Sequence, residues 1–424
     1  MLQLTYIRDN KEDVLKRLAI KNFKDAETII NSVIELDNSR KAAQKQADDT
    51  KAEANALARQ IGDLMKSGKK EEAEVLKAKT AELKNTEKTL DEKQKRIEVE
   101  VHKLLVTVPN LPNLSVPVGK TPEDNEVVSE EGAKPTLYSG AKPHWELTTQ
   151  YDIIDFELGV KLTGAGFPVY KGKGARLQRA LINFFLDKAT AKGYNEVQPP
   201  ILVNEDSGYG TGQLPDKEGQ MYHSTIDNLY LIPTAEVPIT NMYRDVILKE
   251  SDLPIKNCGY TPCFRREAGS YGKDVRGLNR LHQFDKVEIV QIAHPTESYK
   301  ILEDMRDYVA SLLKELGLPY RVLKLCGGDM SFGSALTYDL EVWSAAQQRW
   351  LEVSSVSNFE TFQTNRLKCR YKDDKGKTQL AHSLNGSALA LPRIVAALLE
   401  NNQTENGINI PKVLIPYCGF DTIN

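Results

Sequence analysis

The 424-residue sequence has little cysteine, almost no net charge and no long apolar run. Its five cysteines form no CxxC pair and accompany no paired histidine spacing, which argues against a zinc site and against a disulfide framework. No stretch of about 18 apolar residues occurs, so no membrane span is expected. The first residues have the features of neither a signal peptide nor a transit peptide. These absences predict a cytoplasmic protein in a reducing compartment.

The net charge of −3 also limits how the chain could bind nucleic acid. Because the overall field is weak, such binding would have to come from local basic patches. Hydrophobic residues make up 40% of the chain and charged residues 27%, which is typical of a globular protein with a sizeable core. A chain of this length favours more than one domain. We predict a helical domain over residues 1–107, a linker over 108–125 and a second domain over 126–424.

Residues 25–104 predict an antiparallel two-helix coiled coil. The stretch contains no proline and is rich in Ala, Lys, Glu, Gln and Leu. The positions that recur every seven residues are Leu36, Ala43, Thr50, Leu57 and Leu64, then Val33, Arg40, Ala47, Ala54 and Ile61, and, after the turn, Leu76, Leu83, Leu90, Ile97 and Leu104. The break at Ser67-Gly68-Lys69-Lys70 supplies the turn. At about 1.5 Å per residue, two helices of about 40 residues form an arm of roughly 50–60 Å.

The heptads alone leave the role of this arm open. A dimerisation coiled coil is one interpretation, because lysines and acids nearly balance along the helices and do not indicate a nucleic-acid binder. Lys66, Lys69 and Lys70 at the turn are a local basic exception. After the arm, residues 108–125 hold four prolines without periodicity, which is typical of a linker.

Residues 263–292 are the most informative stretch of the second domain. They predict two antiparallel strands, at 264–267 and from about Phe284, joined by a glycine-rich basic loop that contains Arg280. Arginine forks bind phosphate, and an aromatic ring stacks on a base. The hairpin therefore suits a polyphosphate nucleotide. A charged hairpin with a solvated loop is the alternative interpretation.

Period-two alternation groups the side chains of these two strands. It places Arg265 with Glu267 on the first strand, and Phe284 with Lys286 and Glu288 on the second. Glu288 lies within the apolar run VEIVQI, where an unpaired carboxylate is costly. This cost favours a functional interpretation of the hairpin over a merely solvated one.

Further acids within apolar strands suggest a cation site. Glu341 and Glu352 are both flanked by apolar residues. Mg²⁺ prefers one or two carboxylates and completes its shell with substrate phosphates. Strict alternation places Ser355 on the face opposite Glu352, so both could approach one ion only if the strand ends or bulges there.

Other segments supply candidate site residues. A helix is predicted over 175–192, and a strand over 229–236 would place Thr234 and Glu236 on one face. The alternative interpretation of Glu236 is an acid at the start of a helix. Residues 385–387 are predicted to form a loop that leads into a buried helix. That helix contains Arg393, which needs a specific anion or, alternatively, a buried ion pair with a nearby acid. It also contains Pro392, which is tolerated only in the first turn or with a kink.

Together these segments resemble the seryl-tRNA synthetase family of class II aminoacyl-tRNA synthetases. The class signatures are matched by GARLQRALINFFLDKATAKGYNEVQPP, FRREAGSYGKDVRGLNRLHQF and NGSALALPRIVAALLEN, and the seryl-specific features by TGQLP, IPTAEVP, LEVSSVSNF and GINIPKVLIPY. The resemblance covers essentially the whole chain. It implies an α+β fold, with a class II antiparallel sheet flanked by helices and preceded by the coiled-coil arm, and a homodimer built on the first signature. Asp216-Lys217 departs from the family pattern after TGQLP.

The resemblance also implies a role for each matching residue. For ATP, these are Arg265 at the α-phosphate, Glu267 at the adenine amino group, Phe284 stacked on adenine, and Arg280 and Arg393 at the γ-phosphate. For serine, they are Thr234 and Glu236 at the amino group, Arg265 at the carboxylate, and Glu288, Asn385 and Ser387 around the side chain. Glu352 and Ser355 would hold Mg²⁺, and Arg265 and Arg393 would act in catalysis.

The implied activity is the ligation of L-serine to tRNA(Ser) through a seryl-adenylate made from ATP. A serine carboxylate is already ionised at pH 7, so catalysis would need positioning and charge neutralisation rather than a protein base. The arm would bind the tRNA by shape and backbone. Two alternatives are an activating enzyme that loads a carrier protein and a non-catalytic coiled-coil scaffold. The first has no use for a long arm, and the second predicts lost ligand residues.

Overall fold

The computed structural model describes residues 1–216, 218–267 and 276–424. Lys217 and residues 268–275 of the predicted glycine-rich basic loop lie outside these ranges. The chain divides into two compact units, Met1–Ala19 with Phe23–Pro109, and Ile20–Asn22 with Asn110–Asn424. No helix in the described ranges is both long and apolar enough to cross a bilayer.

The helices of the described ranges alternate with short and long strands. The helices are α1 (Leu4–Asp9), α2 (Lys11–Ile20), α3 (Ala26–Lys66), α4 (Lys70–Leu105), α5 (His144–Gln150), α6 (Phe156–Leu162), α7 (Gly172–Ala191), α8 (Glu205–Thr211), α9 (Glu236–Asn241), α10 (Ser298–Glu315), α11 (Thr361–Leu367), α12 (Leu391–Asn401) and α13 (Ile415–Cys418). The strands are β1 (Glu126–Glu131), β2 (Ile154–Asp155), β3 (Val169–Tyr170), β4 (Asn195–Glu196), β5 (Leu202–Val203), β6 (His223–Ser224), β7 (Leu229–Leu231), β8 (Ile247–Lys249), β9 (Ile255–Phe264), β10 (Gln283–Ala293), β11 (Tyr320–Lys324), β12 (Leu336–Ser344), β13 (Arg349–Glu360), β14 (Arg370–Lys372), β15 (Thr378–Leu380), β16 (His382–Ala390), β17 (Gln403–Thr404), β18 (Gly407–Asn409) and β19 (Thr422–Ile423).

The predicted coiled coil is confirmed by α3 and α4, which pack together along their length. The heptad positions Ala43, Ala47, Ala54 and Leu57 are buried on α3. A second heptad track on α4, which runs from Ala73 to Val101, is also buried or half-buried. The sequence analysis does not predict this track because polar residues occupy its middle positions.

The base of the arm contains a buried carboxylate. The side chain of Asp37 is 4% exposed, and its oxygens lie 2.9 Å from Arg40 Nη2, 2.9 Å from Lys41 Nζ and 3.6 Å from Arg8 Nη1. Three cations compensate for the cost of burying this charge.

The central sheet of the second unit positions the site. Its strands lie in the order β1-β11-β12-β13-β16-β10-β9-β4, with antiparallel pairing except between β4 and β9. Val287 and Ile289 of β10 belong to the main core, together with buried side chains of α7, α10 and α12. Alternation along β10 therefore directs Lys286 and Glu288 to the opposite face.

The first strand of the predicted hairpin is placed too late in the sequence. It is β9, which ends at Phe264, so Arg265 and Glu267 lie beyond the strand rather than within it. Glu267 has a φ of 49°, which is not a strand conformation. Phe264–Glu267 therefore do not alternate as a strand, although Phe284, Lys286 and Glu288 do lie on one strand, β10.

Two further predictions are wrong in their local structure. The strand predicted over 229–236 ends at Leu231, and Glu236 begins the helix α9. The loop predicted at 385–387 belongs to β16, a central strand. Gly386 there indicates close packing rather than a turn, because a Cβ at this position would lie 3.0 Å from Val356 on β13. Pro392, by contrast, lies in the first turn of α12, as predicted.

Candidate active site

Two carboxylates are buried together beside β10. Glu288 is 2% exposed, and its Oε2 lies 2.8 Å from Lys286 Nζ. The same oxygen accepts a hydrogen bond from Thr234 Oγ1 at 3.3 Å. Glu236 accepts a hydrogen bond from Gln363 Nε2 at 2.6 Å. These side chains form a buried polar cluster, which is called the pocket below.

The pocket holds more negative than positive charge. Burial, and then the charge of Glu288, raise the pKa of Glu236 to about 7, while Gln363 and Lys286 oppose the shift. Lys286 thus neutralises Glu288, whereas Glu236 lacks an ion-pair partner among the described residues. A cationic group bound here would stabilise the ionised form of Glu236.

The strand β16 forms another wall of the pocket. Ser387 is paired directly with Glu288, and Asn385 with Val290. The Nδ2 atom of Asn385 is buried without a well-aligned hydrogen bond in the described part of the chain, although the Asn385 amide lies close enough to Glu236 to lower the pKa of that carboxyl. A buried donor of this kind is expected to bind a polar ligand.

Arg265 connects this pocket to a second group of residues. Its guanidinium carbon lies 5.2 Å from the centre of the Phe284 ring, and its Nε donates to the carbonyl oxygen of Pro233, next to Thr234, at 3.4 Å. Just beyond β9, Glu267 Oε2 accepts from Arg280 Nε at 2.6 Å. A nucleotide that binds here has an aromatic face, a carboxylate and two arginines within this group.

Arg393 at the start of α12 joins three elements. Its Nη1 donates to the carbonyl oxygen of Glu352 at 2.7 Å, and its Nε donates to that of Asn279 at 3.0 Å. The Glu352 carboxylate is 3.8 Å from the same guanidinium and is half exposed. The predicted phosphate-binding and cation-binding residues are therefore adjacent.

A β-bulge places the side chains of Glu352 and Ser355 on the same face of β13. Leu340 pairs with Ser354 but Glu341 pairs with Glu352, so Val353 is the extra residue on β13. One extra residue reverses the alternation, which places Glu352 and Ser355 on one face. The bulge that the sequence analysis required for a shared ion is present.

Asp339 is a candidate residue that the sequence analysis missed. It lies opposite Ser355 on β12, and its Oδ1 is buried without a hydrogen-bond partner among the described residues. Burial, and then the charge of Glu352, raise the pKa of Asp339 well above its ordinary value, although the hydrogen bond with Ser355 opposes the shift. The neighbouring Glu341 differs, because Arg321 pairs with it.

These residues fit a divalent cation that is shared with a polyphosphate. Within the described ranges, no group of three or more His, Cys, Asp or Glu side chains could hold a metal ion alone. Mg²⁺ does not require such a group when phosphate oxygens complete its shell. Asp339, whose Oδ1 is buried without a partner among the described residues, and Glu352, whose carboxylate is 3.8 Å from Arg393, supply oxygen ligands of the kind that such an ion binds.

Sequence reasoning finds most of the site but not all of its members. Lys286 is noticed only for its alternation, although it is the ion-pair partner of Glu288. Gln363 and Asp339 are missed as site residues, because their partners lie on distant parts of the chain. Asp339 lies beside Leu340 and Glu341, in a strand that the sequence analysis notes for its acid. This position is the feature of the sequence that could have identified Asp339 as a site residue.

The fold and the site define a class II aminoacyl-tRNA synthetase. Residues 221–402 match the tRNA synthetase class II core domain (G, H, P, S and T), and residues 1–112 match the seryl-tRNA synthetase N-terminal domain. The serine–tRNA ligase of Salinibacter ruber is 51% identical over 425 aligned residues, which cover 100% of this chain and 99% of the relative.

Solved structures agree with this class. The seryl-tRNA synthetase of Pyrococcus horikoshii, complexed with ATP, aligns with a TM-score of 0.93 and 33% identity, covering 100% of this chain and 99% of that one. The cytoplasmic serine–tRNA ligase of Naegleria fowleri, in complex with AMP, aligns with a TM-score of 0.89 and 26% identity at the same coverage. The chain belongs to the seryl-tRNA synthetase family.

The ion pair of Lys286 and Glu288 yields a stability prediction. Lys286→Met should lower the free energy of unfolding by about 3–5 kcal/mol, because it leaves a buried carboxylate without its cation. Lys286→Met combined with Glu288→Gln should recover most of this loss. Urea denaturation at pH 7.5 measures both. A double variant as unstable as the single one would contradict the charge argument.

Proposed function

We propose that this chain activates L-serine with ATP to seryl-adenylate and transfers the seryl group to the 3′ end of tRNA(Ser), as a homodimer in cytoplasmic translation. The observation that carries the proposal is the buried pocket with two carboxylates and one lysine, which continues through Arg265 to the nucleotide residues. The carboxylates of this pocket can bind the ammonium group of an amino acid, and the arginines can bind its carboxylate and the phosphates of ATP.

In this proposal the serine pocket recognises three groups of its substrate. The ammonium group binds beside Glu236 and Thr234, and the carboxylate binds Arg265. The hydroxyl binds Glu288, with Asn385 and Ser387 around it. Alanine is rejected because it lacks the hydroxyl that the buried Glu288 and the buried donor of Asn385 would bind.

The nucleotide lies along the residues beyond β9. Phe284 stacks on adenine, Glu267 accepts from its amino group, and Arg280 and Arg393 bind the γ-phosphate. Glu267 and Arg280 pair with each other in the structure described here. When ATP binds, this ion pair is broken. Glu267 then contacts the adenine amino group, and Arg280 contacts the γ-phosphate.

Mg²⁺ would be held by Glu352 and Ser355, with Asp339 beside them. When bound, the ion neutralises phosphate charge and orients the triphosphate. The protein residues fix the positions of the reactants. Arg393 is held by two backbone carbonyls, which directs its guanidinium toward the phosphates without a competing buried ion pair.

Activation joins the serine carboxylate to the α-phosphorus of ATP. A carboxylate oxygen attacks in line, the bond to the bridging oxygen breaks, and pyrophosphate leaves. Arg265 contacts both reacting groups and stabilises the charge on the α-phosphate. The terminal ribose hydroxyl of the tRNA then attacks the carbonyl carbon, loses its proton, and AMP leaves as seryl-tRNA forms.

The proposed homodimer would use the face of α7. A cleft of about 530 Å³ lies along this helix, and it is lined by Ile182, Leu186 and Val197 together with polar residues. On α6, Val160 and Leu162 are more than half exposed, at 55% and 68%. Covering such surfaces favours association. Sedimentation equilibrium checks the dimer, and a monomer at micromolar concentration would contradict it.

ATP–pyrophosphate exchange tests the proposed activation step. The exchange is measured with serine, alanine, threonine and glycine, each without tRNA. We expect exchange with serine and at least about 10⁴-fold less with alanine, because a site built for a hydroxyl rejects the analogue that lacks it. Folded protein without exchange would instead support the coiled-coil scaffold.

Deleting residues 36–97 separates activation from transfer. The variant should keep pyrophosphate exchange, because the second unit holds every proposed ATP and serine ligand. Charging of tRNA(Ser) should fall by about two orders of magnitude or more, because phosphate contacts of the arm would be lost. Equal loss of both activities would show that the arm is structural. Retained charging would show that another surface binds the tRNA.

Asp339→Asn tests the proposed cation site without measuring activity. Mn²⁺ binding in the presence of a non-hydrolysable ATP analogue, followed by EPR, should weaken at least about tenfold when this carboxylate loses its charge. Without the cation the variant should melt higher, because a buried unpaired carboxylate has been removed. Glu341→Gln is the control, since Arg321 already neutralises Glu341. Unchanged Mn²⁺ affinity in Asp339→Asn would remove Asp339 from the site.

A further inference from the structure

A buried histidine–carboxylate pair lies behind the nucleotide residues. His144 begins α5 and Glu400 lies on α12, and both side chains are fully buried. Glu400 Oε1 lies 2.7 Å from His144 Nδ1 and accepts from the backbone N–H of His144 at 3.0 Å. Ser344 and Gln347 also donate to this carboxylate. Neither His144 nor Glu400 is assigned a role in activation or transfer.

The other face of the imidazole holds the end of the hairpin loop. His144 Nε2 accepts a hydrogen bond from the backbone N–H of Leu278 at 2.8 Å. A carboxylate can only accept, so Nδ1 carries the proton that faces Glu400, and Nε2 is left free to accept. Glu400 therefore fixes the tautomer that Leu278 requires.

The backbone at Gly277 packs closely against the imidazole ring of His144. Gly277 has a φ of +60°, and a Cβ there would lie 2.3 Å from His144 Nε2. Glycine is thus required by its conformation and by the proximity of the ring. Any shift of this backbone would break the bond to Leu278.

Residues 277–279, the segment beside the His144 ring, are connected to both arginines proposed for the γ-phosphate. The side chain of Asn279 donates to Gln347 at 3.0 Å, and the backbone carbonyl oxygen of Asn279 accepts from Arg393 Nε at 3.0 Å. Arg280 is the next residue. The position of the Leu278–Asn279 backbone thus determines where Arg280 leaves the chain and where Arg393 is held.

We propose that His144, oriented by Glu400, is a positioning residue for ATP, which holds residues 277–279 so that Arg280 and Arg393 meet the γ-phosphate. It touches no substrate. The serine pocket uses none of these contacts, because Thr234, Glu236 and Glu288 are held by Gln363 and Lys286. The inference rests on the proposed function. It predicts a defect in ATP binding that leaves serine binding intact.

Calorimetry of the full-length chain with ATP alone and with serine alone tests this proposal. His144→Ala should weaken ATP at least about tenfold, the effect of losing one well-placed polar contact of about 1.4 kcal/mol, and leave serine within about twofold. Glu400→Gln should act in the same direction, because an amide N–H facing Nδ1 favours the tautomer that presents a donor to Leu278. His382→Ala is the control. That histidine is bonded to Ser298 on α10, away from the loop, and its loss should leave ATP affinity unchanged.

A double-mutant cycle and a spectroscopic measurement separate positioning from mere folding. Gly277→Ala should weaken ATP in the presence of the ring, and much less when His144→Ala has removed it, so the two effects should not add. ¹⁵N NMR should show His144 protonated at Nδ1 and unprotonated at Nε2, with this pattern lost in Glu400→Gln. Additive effects, or a proton on Nε2 in the parent protein, would overturn the proposal.

The outcomes also distinguish this inference from the proposed function. A folded parent chain that binds no ATP overturns both. Parent binding with unchanged ATP affinity in His144→Ala overturns the inference alone. Equal weakening of ATP and serine in His144→Ala would show that the pair is structural, and it too overturns the positioning role.

Discussion

The active site depends on a buried set of charges that the protein alone leaves incomplete. Glu236 and Glu288 are buried together, and among the described residues Lys286 alone contacts either of them as a cation. Two carboxylates cannot both remain ionised at low cost beside one ammonium group. A substrate that carries its own ammonium group would complete the set. In the proposed function this imbalance favours the binding of an amino acid, whereas selection of the hydroxyl depends on the sheet register that places Ser387 beside Glu288.

The two halves of the site are built from different kinds of structure. In the proposed serine half, Glu288, Asn385 and Ser387 lie on the regular strands β10 and β16, where register and close packing at Gly386 fix these side chains. The proposed nucleotide half lies mainly beyond the end of β9 and at the start of α12. Its arginines are bonded to backbone carbonyls or to an exchangeable carboxylate. Recognition of a small amino acid requires a rigid half. The nucleotide half must instead allow a triphosphate to enter and pyrophosphate to leave.

Sequence patterns predict the features that depend on residues close together in the chain. The heptads of α3 and the first-turn position of Pro392 follow from helical period and from the missing N–H of proline. The strand limits near Phe264 and Ser387 do not. Residues 265–267 alternate like a strand but lie beyond the end of one, whereas residues 385–387 have the composition of a turn but are packed into a strand. Asp339 and His144 escape sequence analysis, since their partners are 16 and 256 positions away. The site roles carried over from the family resemblance stay predictions.

Proton release on serine binding tests the central claim, the charge imbalance of the pocket, most directly. With a pKa of about 7, Glu236 is half protonated at pH 7, and the incoming ammonium group should expel that proton. Titration calorimetry in buffers of different ionisation enthalpy should give about half a proton released per site at pH 7 and about a tenth at pH 8, with affinity rising over this range. Glu236→Gln should abolish the release. Serine binding that releases no proton at pH 7, or that weakens as the pH rises from 6 to 8, would contradict the account.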